Sequence, residues 1–152
     1  MPQKRTDRIT KEKGKNKGKI LFVEDDRFLA EMFRQKFVIE GYEPIVASTA
    51  ISAVLALNEE KPIAIILDVV LKDSECWMIM EYLLRKKDYH PVPVIILTNY
   101  GSEEYRQKAK ELKADAYFIK TDITPDKLVG AMETLIRKQK DTSKKPYRSP
   151  IL

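Results

Sequence analysis

The stretch IAIILDVVLKD, residues 63–73, is the strongest indication of the fold of this chain. Its first five residues are apolar at every position, and Asp68 follows them directly. A short strand without polar alternation is typical of a strand covered on both faces, as in the centre of a parallel sheet. The charge at its end predicts that Asp68 lies at the rim of that sheet.

The same alternation of apolar run and helical pattern repeats along the chain. The predicted strands are KILFV (19–23), YEPIVAS (42–48), IAIIL (63–67), VPVIILT (92–98) and AYFI (116–119). Each is followed by a helical pattern, at 27–41, 49–61, 76–87, 102–114 and 124–139. Short connections and right-handed crossovers then favour an α/β fold with a doubly wound parallel sheet and helices on both faces.

Particular residues mark the ends and faces of these helices. Ser48 or Thr49, Ser102 and Thr124 are candidate N-caps, and Pro125 suits a first helical position. In the first helix the predicted apolar stripe contains Phe28, Leu29, Met32, Phe33, Lys36 and Phe37.

Charge divides the chain into a domain and two tails. Residues 1–19 carry eight Lys or Arg against two acids, residues 137–152 carry six against one, and residues 20–136 carry 14 against 20. We expect a basic disordered tail at 1–18, one domain at 19–138 and a basic flexible tail at 139–152. No apolar run is long enough to cross a bilayer, and a single cysteine, Cys76, suits a reducing compartment, so we expect a cytoplasmic protein without a membrane span.

Polar residues follow four of the five predicted strands. They are Glu24, Asp25 and Asp26 after the first, Asp68 after the third, Thr98 at the end of the fourth and Lys120 after the fifth. In a doubly wound sheet a ligand site forms beyond the carboxyl ends of the strands, so these side chains should converge. Clustered carboxylates repel one another without a cation, and oxygen ligands suit a hard ion, so Mg²⁺ is the expected cofactor.

This set matches the needs of an aspartate nucleophile that accepts phosphate. Such a nucleophile requires a metal to neutralise phosphate oxygens, a cation to hold the incoming charge and a hydroxyl to bond a phosphoryl oxygen. The acids, Lys120 and Thr98 offer all three. A lone aspartate at a strand end is more often a turn former, so the hypothesis depends on the whole set.

The stretches ILFVEDD, IAIILDVVL, PVIILTN and ADAYFIK resemble, in order, the receiver domains of two-component response regulators, over roughly residues 19–138. The resemblance implies a flavodoxin-like sheet of order 2-1-3-4-5 and phosphorylation of Asp68 by a histidine kinase or phosphotransfer protein. It implies Mg²⁺ held by Asp25 and Asp68, with Glu24 acting through water and the Val70 carbonyl as a third contact. Asp26 lies one place beyond the usual acidic pair and is expected to be peripheral.

The resemblance also implies a switch and its readout. Lys120 matches the family lysine that pairs with the phosphoryl group, Thr98 the hydroxyl that moves towards it, and Tyr117 the aromatic that turns inward behind it. The expected readout surface lies on the fourth helix, the fifth strand and the fifth helix and comprises Tyr105, Arg106, Ala109, Tyr117 and Lys127.

Partners follow from the same resemblance. A kinase is expected near Phe28 and Met32, although core packing is the favoured role for either residue alone. The downstream target is a protein, and the chain is expected to be a monomer or weak homodimer that is not an enzyme beyond assisting its own phosphorylation and dephosphorylation.

The sequence departs from the family pattern at two places, and two alternative functions stay open. The family's Pro, Gly and Gly after the phosphoacceptor are replaced by Lys72, Asp73 and Cys76, so the loop is expected to sit differently, and Thr121 replaces the Pro that commonly follows the lysine. One alternative is a receiver-like scaffold that binds nucleic acid or another polyanion through its basic tails. The other is a phosphate-transferring or hydrolysing enzyme, which is disfavoured because Val70 stands where such families place a second aspartate.

Overall fold

The computed structural model of the protein describes residues 16–86 and 92–142. Five strands alternate with five helices along this part of the chain. The elements are β1 (Lys19–Val23), α1 (Arg27–Ile39), β2 (Glu43–Ala47), α2 (Ala50–Glu60), β3 (Ala64–Leu67), α3 (Trp77–Arg85), β4 (Val94–Thr98), α4 (Glu103–Glu111), β5 (Ala116–Ile119), a 3₁₀ turn (Lys120–Asp122) and α5 (Pro125–Thr142).

All five strands form one parallel sheet in the order β2-β1-β3-β4-β5, which confirms the predicted flavodoxin-like fold. The pairing of β1 with β3 sets Val23 opposite Leu67, and that of β3 with β4 sets Leu67 opposite Ile96. Every residue of β3 and of β4 is buried. Their continuous apolar sequences are therefore explained by cover on both faces of the sheet.

Alternate side chains of each strand feed two separate cores. On one face Leu21, Ile65 and Ile96 pack with α2, α3 and the buried Ala109 of α4. On the other face Phe22 packs with Phe33 of α1 and with α5, and the Phe22 and Phe33 ring centroids lie 5.4 Å apart. The sheet thus holds α1 and α5 on one side and α2, α3 and α4 on the other.

The predicted apolar stripe of α1 is only partly correct. Phe33 and Phe37 are buried, whereas Phe28 is 91% exposed and Met32 is 47% exposed. Phe28 precedes Phe33 by five residues, which places it about 140° around the helix from the buried face. The interpretation of Phe28 and Met32 as core residues is therefore wrong.

The ends of the domain also differ from the predicted boundaries. Residues 16–18, which the sequence places in the N-terminal tail, lie against the sheet, with the Lys17 amide donating to the Gly41 carbonyl at 2.9 Å. Helix α5 runs through Thr142, beyond the boundary predicted at residue 138. The rest of both tails, residues 1–15 and 143–152, lies outside the described residues.

The predicted caps match the structure. Thr49, rather than Ser48, caps α2 and forms a reciprocal capping box with Ser52. The Ser102 side chain accepts from the Tyr105 amide at the start of α4, and the Thr124 hydroxyl accepts from the Lys127 amide at 3.3 Å. Across the described ranges, no helix is both long enough and apolar enough to span a bilayer.

Candidate functional site

The carboxyl edge of the sheet gathers polar residues from four strands. Glu24 follows β1, Asp68 follows β3, Thr98 ends β4 and Lys120 follows β5. The Asp68 amide still donates to the Val23 carbonyl at 3.0 Å, and the Glu24 amide to the Ala47 carbonyl at 2.9 Å. The main chain at this edge is thus fixed by the sheet's hydrogen bonds, and the side chains are placed by rigid strands rather than by free loops.

Lys120 joins two carboxylates at the centre of this edge. Its ammonium donates to Asp68 Oδ2 at 2.7 Å and also to Glu24 Oε1. Burial alone would lower the pKa of Lys120, but the hydrogen bonds to Asp68 and Glu24 outweigh it and raise the pKa above its ordinary value. Lys120 is therefore a fixed positive charge in direct contact with Asp68.

Glu24 is in an unfavourable position for a carboxylate. It is 2% exposed, and burial raises its pKa to about 7, with Asp68 adding to the rise and Lys120 opposing it. Its Oε2 accepts from the Asp25 amide at 3.0 Å. One lysine therefore does not fully compensate the negative charge of this edge.

Glu24, Asp25 and Asp68 can hold a cation together. Each offers one carboxylate oxygen, and the three oxygens lie within 4.8 Å of one another. Asp68 is 7% exposed, and its Oδ1 is buried and accepts no hydrogen bond from any residue that the structure describes. A buried carboxylate oxygen without a partner among neighbouring carboxylates fits a hard cation such as Mg²⁺.

The other two residues considered for this site have separate roles in the fold. Asp26 is exposed, and its side chain accepts from the Leu29 amide at 3.1 Å, capping α1. Val70 is half-buried in the loop after β3, where it forms an isolated bridge with Glu75. Asp26 lies outside the group formed by Glu24, Asp25 and Asp68.

Thr98 and Tyr117 lie beside the acidic edge but are not joined to it. The Thr98 side chain is fully buried, and its Oγ1 accepts from the Tyr100 amide at 3.3 Å. The Tyr117 hydroxyl donates to the Tyr100 carbonyl at 2.5 Å. In the described part of the chain, no hydrogen bond connects Thr98 to Asp68 or Lys120. Both residues instead hold the loop that follows β4.

An aromatic cluster that the sequence did not predict surrounds this loop. The Trp77 and Tyr105 rings lie 5.9 Å apart, the Tyr100 and Tyr105 rings 6.1 Å apart, and the Arg106 guanidinium sits 4.7 Å from the centre of the Tyr117 ring. Each of these contacts joins side chains from different parts of the chain, so no periodicity in the sequence relates them.

The predicted readout surface needs one correction. Ala109 is 2% exposed and packs in the core under α4, so it cannot contact a partner directly. Arg106 and Lys127 are exposed, while Tyr105 and Tyr117 are half-buried.

The loop after Asp68 is closed without glycine. The Leu71 amide donates to the Ser74 carbonyl at 2.9 Å and the Cys76 amide to the Val69 carbonyl at 2.8 Å. Positive φ angles at non-glycine residues of the described ranges occur only at Lys61 and Lys113, outside this loop. Asp73 has a structural role here, because its side chain accepts from the Ala50 amide at 3.0 Å at the start of α2.

Comparisons with known proteins agree with this geometry. The family model of the response regulator receiver domain matches residues 20–133. The phosphate regulon transcriptional regulatory protein PhoB of Escherichia coli is 35% identical over 122 residues, which cover 79% of this chain and 52% of PhoB. The chain therefore spans about half the length of this curated relative.

Solved structures show the same fold. A CheY-like response regulator receiver domain protein from Methanospirillum hungatei superposes with a TM-score of 0.72 at 27% identity, covering 81% of this chain and 96% of that one. The receiver domain of a Luxo repressor protein from Vibrio parahaemolyticus gives a TM-score of 0.75 at 24% identity, covering 86% and 98%.

Proposed function

The chain belongs to the response regulator receiver domain family, and from this premise we propose that it is a phosphoacceptor switch phosphorylated on Asp68. The observation that carries the proposal is the state of the Asp68 carboxylate. One of its oxygens is bonded to Lys120, and the other is buried beside Glu24 and Asp25 with no hydrogen-bond partner in residues 16–86 and 92–142. Such a group has one fixed counter-charge and one oxygen left for a further ligand.

The residues that would hold the metal are Asp25 and Asp68, with Glu24 acting through water and the Val70 carbonyl as a further oxygen. Mg²⁺, when bound, neutralises the charge of phosphoryl oxygens and of the carboxylates around them. A bound cation would stabilise the charged form of Glu24, which burial disfavours by raising its pKa to about 7.

In the transfer step, an Asp68 carboxylate oxygen attacks phosphorus and forms a P–O bond. The bond between phosphorus and the donor breaks at the same time. In a phosphohistidine this is the P–N bond, and its electron pair leaves with the donor nitrogen. The Lys120 ammonium already donates to Asp68, and at this position it can also donate to the phosphoaspartate. The step needs no base, because Asp68 attacks as a carboxylate.

The switch proposal assigns Thr98 and Tyr117 to the response. A phosphoryl group adds close to two negative charges, and the Thr98 hydroxyl can donate to one of its oxygens. That hydroxyl now accepts from the Tyr100 amide, and Tyr117 donates to the carbonyl of the same residue. A move of Thr98 is thereby passed to Tyr117 and the face formed by α4, β5 and α5.

For partners, we place a histidine kinase or phosphotransfer protein against α1, in the cytoplasm. Phe28, Met32 and Ile39 are exposed apolar residues on this helix, and Phe28 lies two residues after the acidic segment. An apolar helix surface of this kind suits packing against a partner helix. The downstream protein would read the α4–β5–α5 face. We favour the phosphoacceptor switch over catalytic turnover and over the polyanion scaffold, because both the family match and the acidic site argue for it.

The test is phosphorylation by acetyl phosphate with Mg²⁺, read by intact mass. We expect the protein to gain one phosphate, and Asp68→Asn and the EDTA-treated protein to gain none. Asp26→Asn is the matched control, because it removes a neighbouring acid outside the site and should gain phosphate normally. Unchanged phosphate gain by Asp68→Asn would reject Asp68 as the acceptor.

A further inference from the structure

A groove on the outer side of the sheet, between α2 and α3, has no part in the phosphorylation site. Its volume is about 300 Å³. Its lining comes from one stripe on each helix, Ile51, Val54 and Leu55 on α2 and Met78, Glu81, Tyr82 and Arg85 on α3. We call these seven residues the α2–α3 groove.

The groove is apolar and open. Ile51 is 65% exposed, Leu55 is 55% exposed and Met78 is 45% exposed, so large hydrophobic side chains of both helices face outward. Residues spaced three, four and seven apart form one helix stripe, and two adjacent stripes make the kind of groove that receives a ridge from a further helix. Contiguous apolar surface of this kind marks an interaction site.

Charge at the rim narrows the choice of partner. Glu81 and Arg85 lie one helical turn apart on α3, at a spacing that allows an ion pair within the helix. Both are exposed, and neither has an ion-pair partner among the residues the structure describes. The rim therefore presents one acid and one base in a fixed order along the helix.

We propose that the α2–α3 groove is a self-association surface, on which a second copy of this chain docks about a two-fold axis. A two-fold axis perpendicular to α3 makes the two α3 helices antiparallel. If the axis passes between the two charges, Glu81 of one protomer meets Arg85 of its partner, and the reverse contact forms on the other side. The apolar residues Leu55 and Met78 of both copies are then covered together.

This partner fits the rim better than a strongly charged one. A uniformly acidic or basic partner would gain one favourable contact with the rim and one unfavourable contact, whereas a second copy satisfies both. The inference is independent of phosphorylation, because none of the seven residues belongs to the acidic edge or bonds to Asp68, Thr98 or Lys120 within the described ranges.

A charge-swap series tests the register. In Glu81→Arg, two arginines face each other across the axis twice, and in Arg85→Glu two acids do so. We expect each variant to raise the dimer dissociation constant at least roughly tenfold, since two contacts become repulsive at once. The measurement is sedimentation velocity over a concentration series.

Recovery is the informative part of the series. The double variant Glu81→Arg, Arg85→Glu should associate as the wild type does. An equal mixture of the two single variants should also form dimers, because each supplies the charges that the other lacks. Capture of an acidic or amphipathic helix from another protein cannot produce this pattern.

Two control variants test whether the groove itself carries the association. Lys110→Glu changes an exposed charge on α4 and should leave association unchanged, whereas Leu55→Ser should weaken it without altering a charge. Intact mass after acetyl phosphate treatment should show normal phosphate gain in every groove variant, so failure of this proposal is distinct from failure of the phosphorylation proposal. A wild type that stays monomeric, or a dimer indifferent to both single swaps, would overturn the proposal.

Discussion

The last residue of β3 and the residue after it show how differently this sheet treats its centre and its carboxyl edge. Leu67 is 0% exposed and packs in the core under α2 and α3. Asp68 is 7% exposed and carries a buried oxygen that has no hydrogen-bond partner in the described part of the chain. The two residues are neighbours and almost equally buried. Burial of the Leu67 side chain stabilises the folded state, whereas burial of the Asp68 carboxylate destabilises it.

The carboxyl edge of the sheet is held in place by the apolar centre. The main-chain bonds from Asp68 to Val23 and from Glu24 to Ala47 continue the ladder that the apolar strands establish. Repelling carboxylates can stay together because the rest of the sheet supplies the stability. Binding of a cation or a phosphoryl group is then favoured, because it relieves the destabilisation that the buried carboxylates cause in the folded state.

The largest effect is expected at the centre. Leu67→Ala should lower the free energy of unfolding by about 2–5 kcal/mol, because it removes methyl groups from a fully buried position and leaves a cavity. Urea unfolding gives the measurement. Ile39→Ala, at a 50% exposed position outside the α2–α3 groove, is the matched control and should lower the free energy of unfolding by under about 1 kcal/mol. Equal losses at the two positions would contradict the contrast.

At the edge, pH should change stability through Glu24. Its pKa is raised from 4.5 to about 7 in the folded protein, so the folded state binds the proton more tightly. The contribution of Glu24 is therefore fully present below pH 4.5 and is lost as the pH rises to 7, by up to about 3 kcal/mol.

Urea unfolding in EDTA, at a series of pH values, isolates this effect as the difference between wild type and Glu24→Gln. We expect the wild type to lose stability relative to the variant between pH 4.5 and 7. Parallel curves would show that Glu24 titrates normally.

Lys120→Met should lower the free energy of unfolding by about 2 kcal/mol at neutral pH in the absence of metal. It removes the only cation bonded to Asp68 and Glu24 in the described chain, but protonation of Glu24 limits the loss. Mg²⁺ should restore more stability to Lys120→Met than to the wild type, because it replaces the missing charge. Lys127→Met, on the exposed side of α5, is the control, and thermal unfolding with and without Mg²⁺ is the measurement.

Asp68→Asn should stabilise the metal-free protein by about 1 kcal/mol, the opposite sign to Leu67→Ala one position earlier. The asparagine amide keeps an oxygen that can accept from Lys120. It also removes one negative charge from a group of three carboxylates that repel one another. Asp26→Asn changes the same chemical group at an exposed helix cap, where Asn serves equally well, and should have almost no effect. Chemical unfolding in EDTA compares the two variants. A loss of stability in Asp68→Asn would mean that the carboxylates are not in conflict.

The smallest effect is expected at Tyr117, about 0.5–1 kcal/mol for Tyr117→Phe. The variant loses the bond from the hydroxyl to the Tyr100 carbonyl, which lies on the surface. Amide hydrogen exchange in residues 99–102 should quicken, because that bond ties the loop to β5. Tyr82→Phe also removes a hydroxyl bond, to Asn58, but far from this loop, and should leave its exchange unchanged.

Several features of the molecule were predictable because local sequence and periodicity encode them. The apolar runs at 63–67 and 92–98 predict buried parallel strands, and Thr49, Ser102 and Thr124 mark helix starts through their side-chain oxygens. Parallel strands present their carboxyl ends at one edge, and this rule predicts that Glu24, Asp68 and Lys120 lie together.

Features that depend on how elements rotate and pack were not predictable in this way. The exposure of Phe28 and Met32 follows from the angle at which α1 lies on the sheet, and an apolar pattern with two possible faces does not specify that angle. Asp73 as a cap for α2 and the ring contacts of Trp77 with Tyr105 join residues more than twenty positions apart.

The order of strands and helices and the chemical groups at the carboxyl edge are set by sequence, because both are written in short stretches of residues. Tertiary packing alone determines that Lys120 bonds two carboxylates at once, that one Asp68 oxygen has no hydrogen-bond partner among the described residues, and that α2 and α3 leave an open groove. Those properties are distances between groups far apart in the chain, and they arise only when both cores close around the sheet.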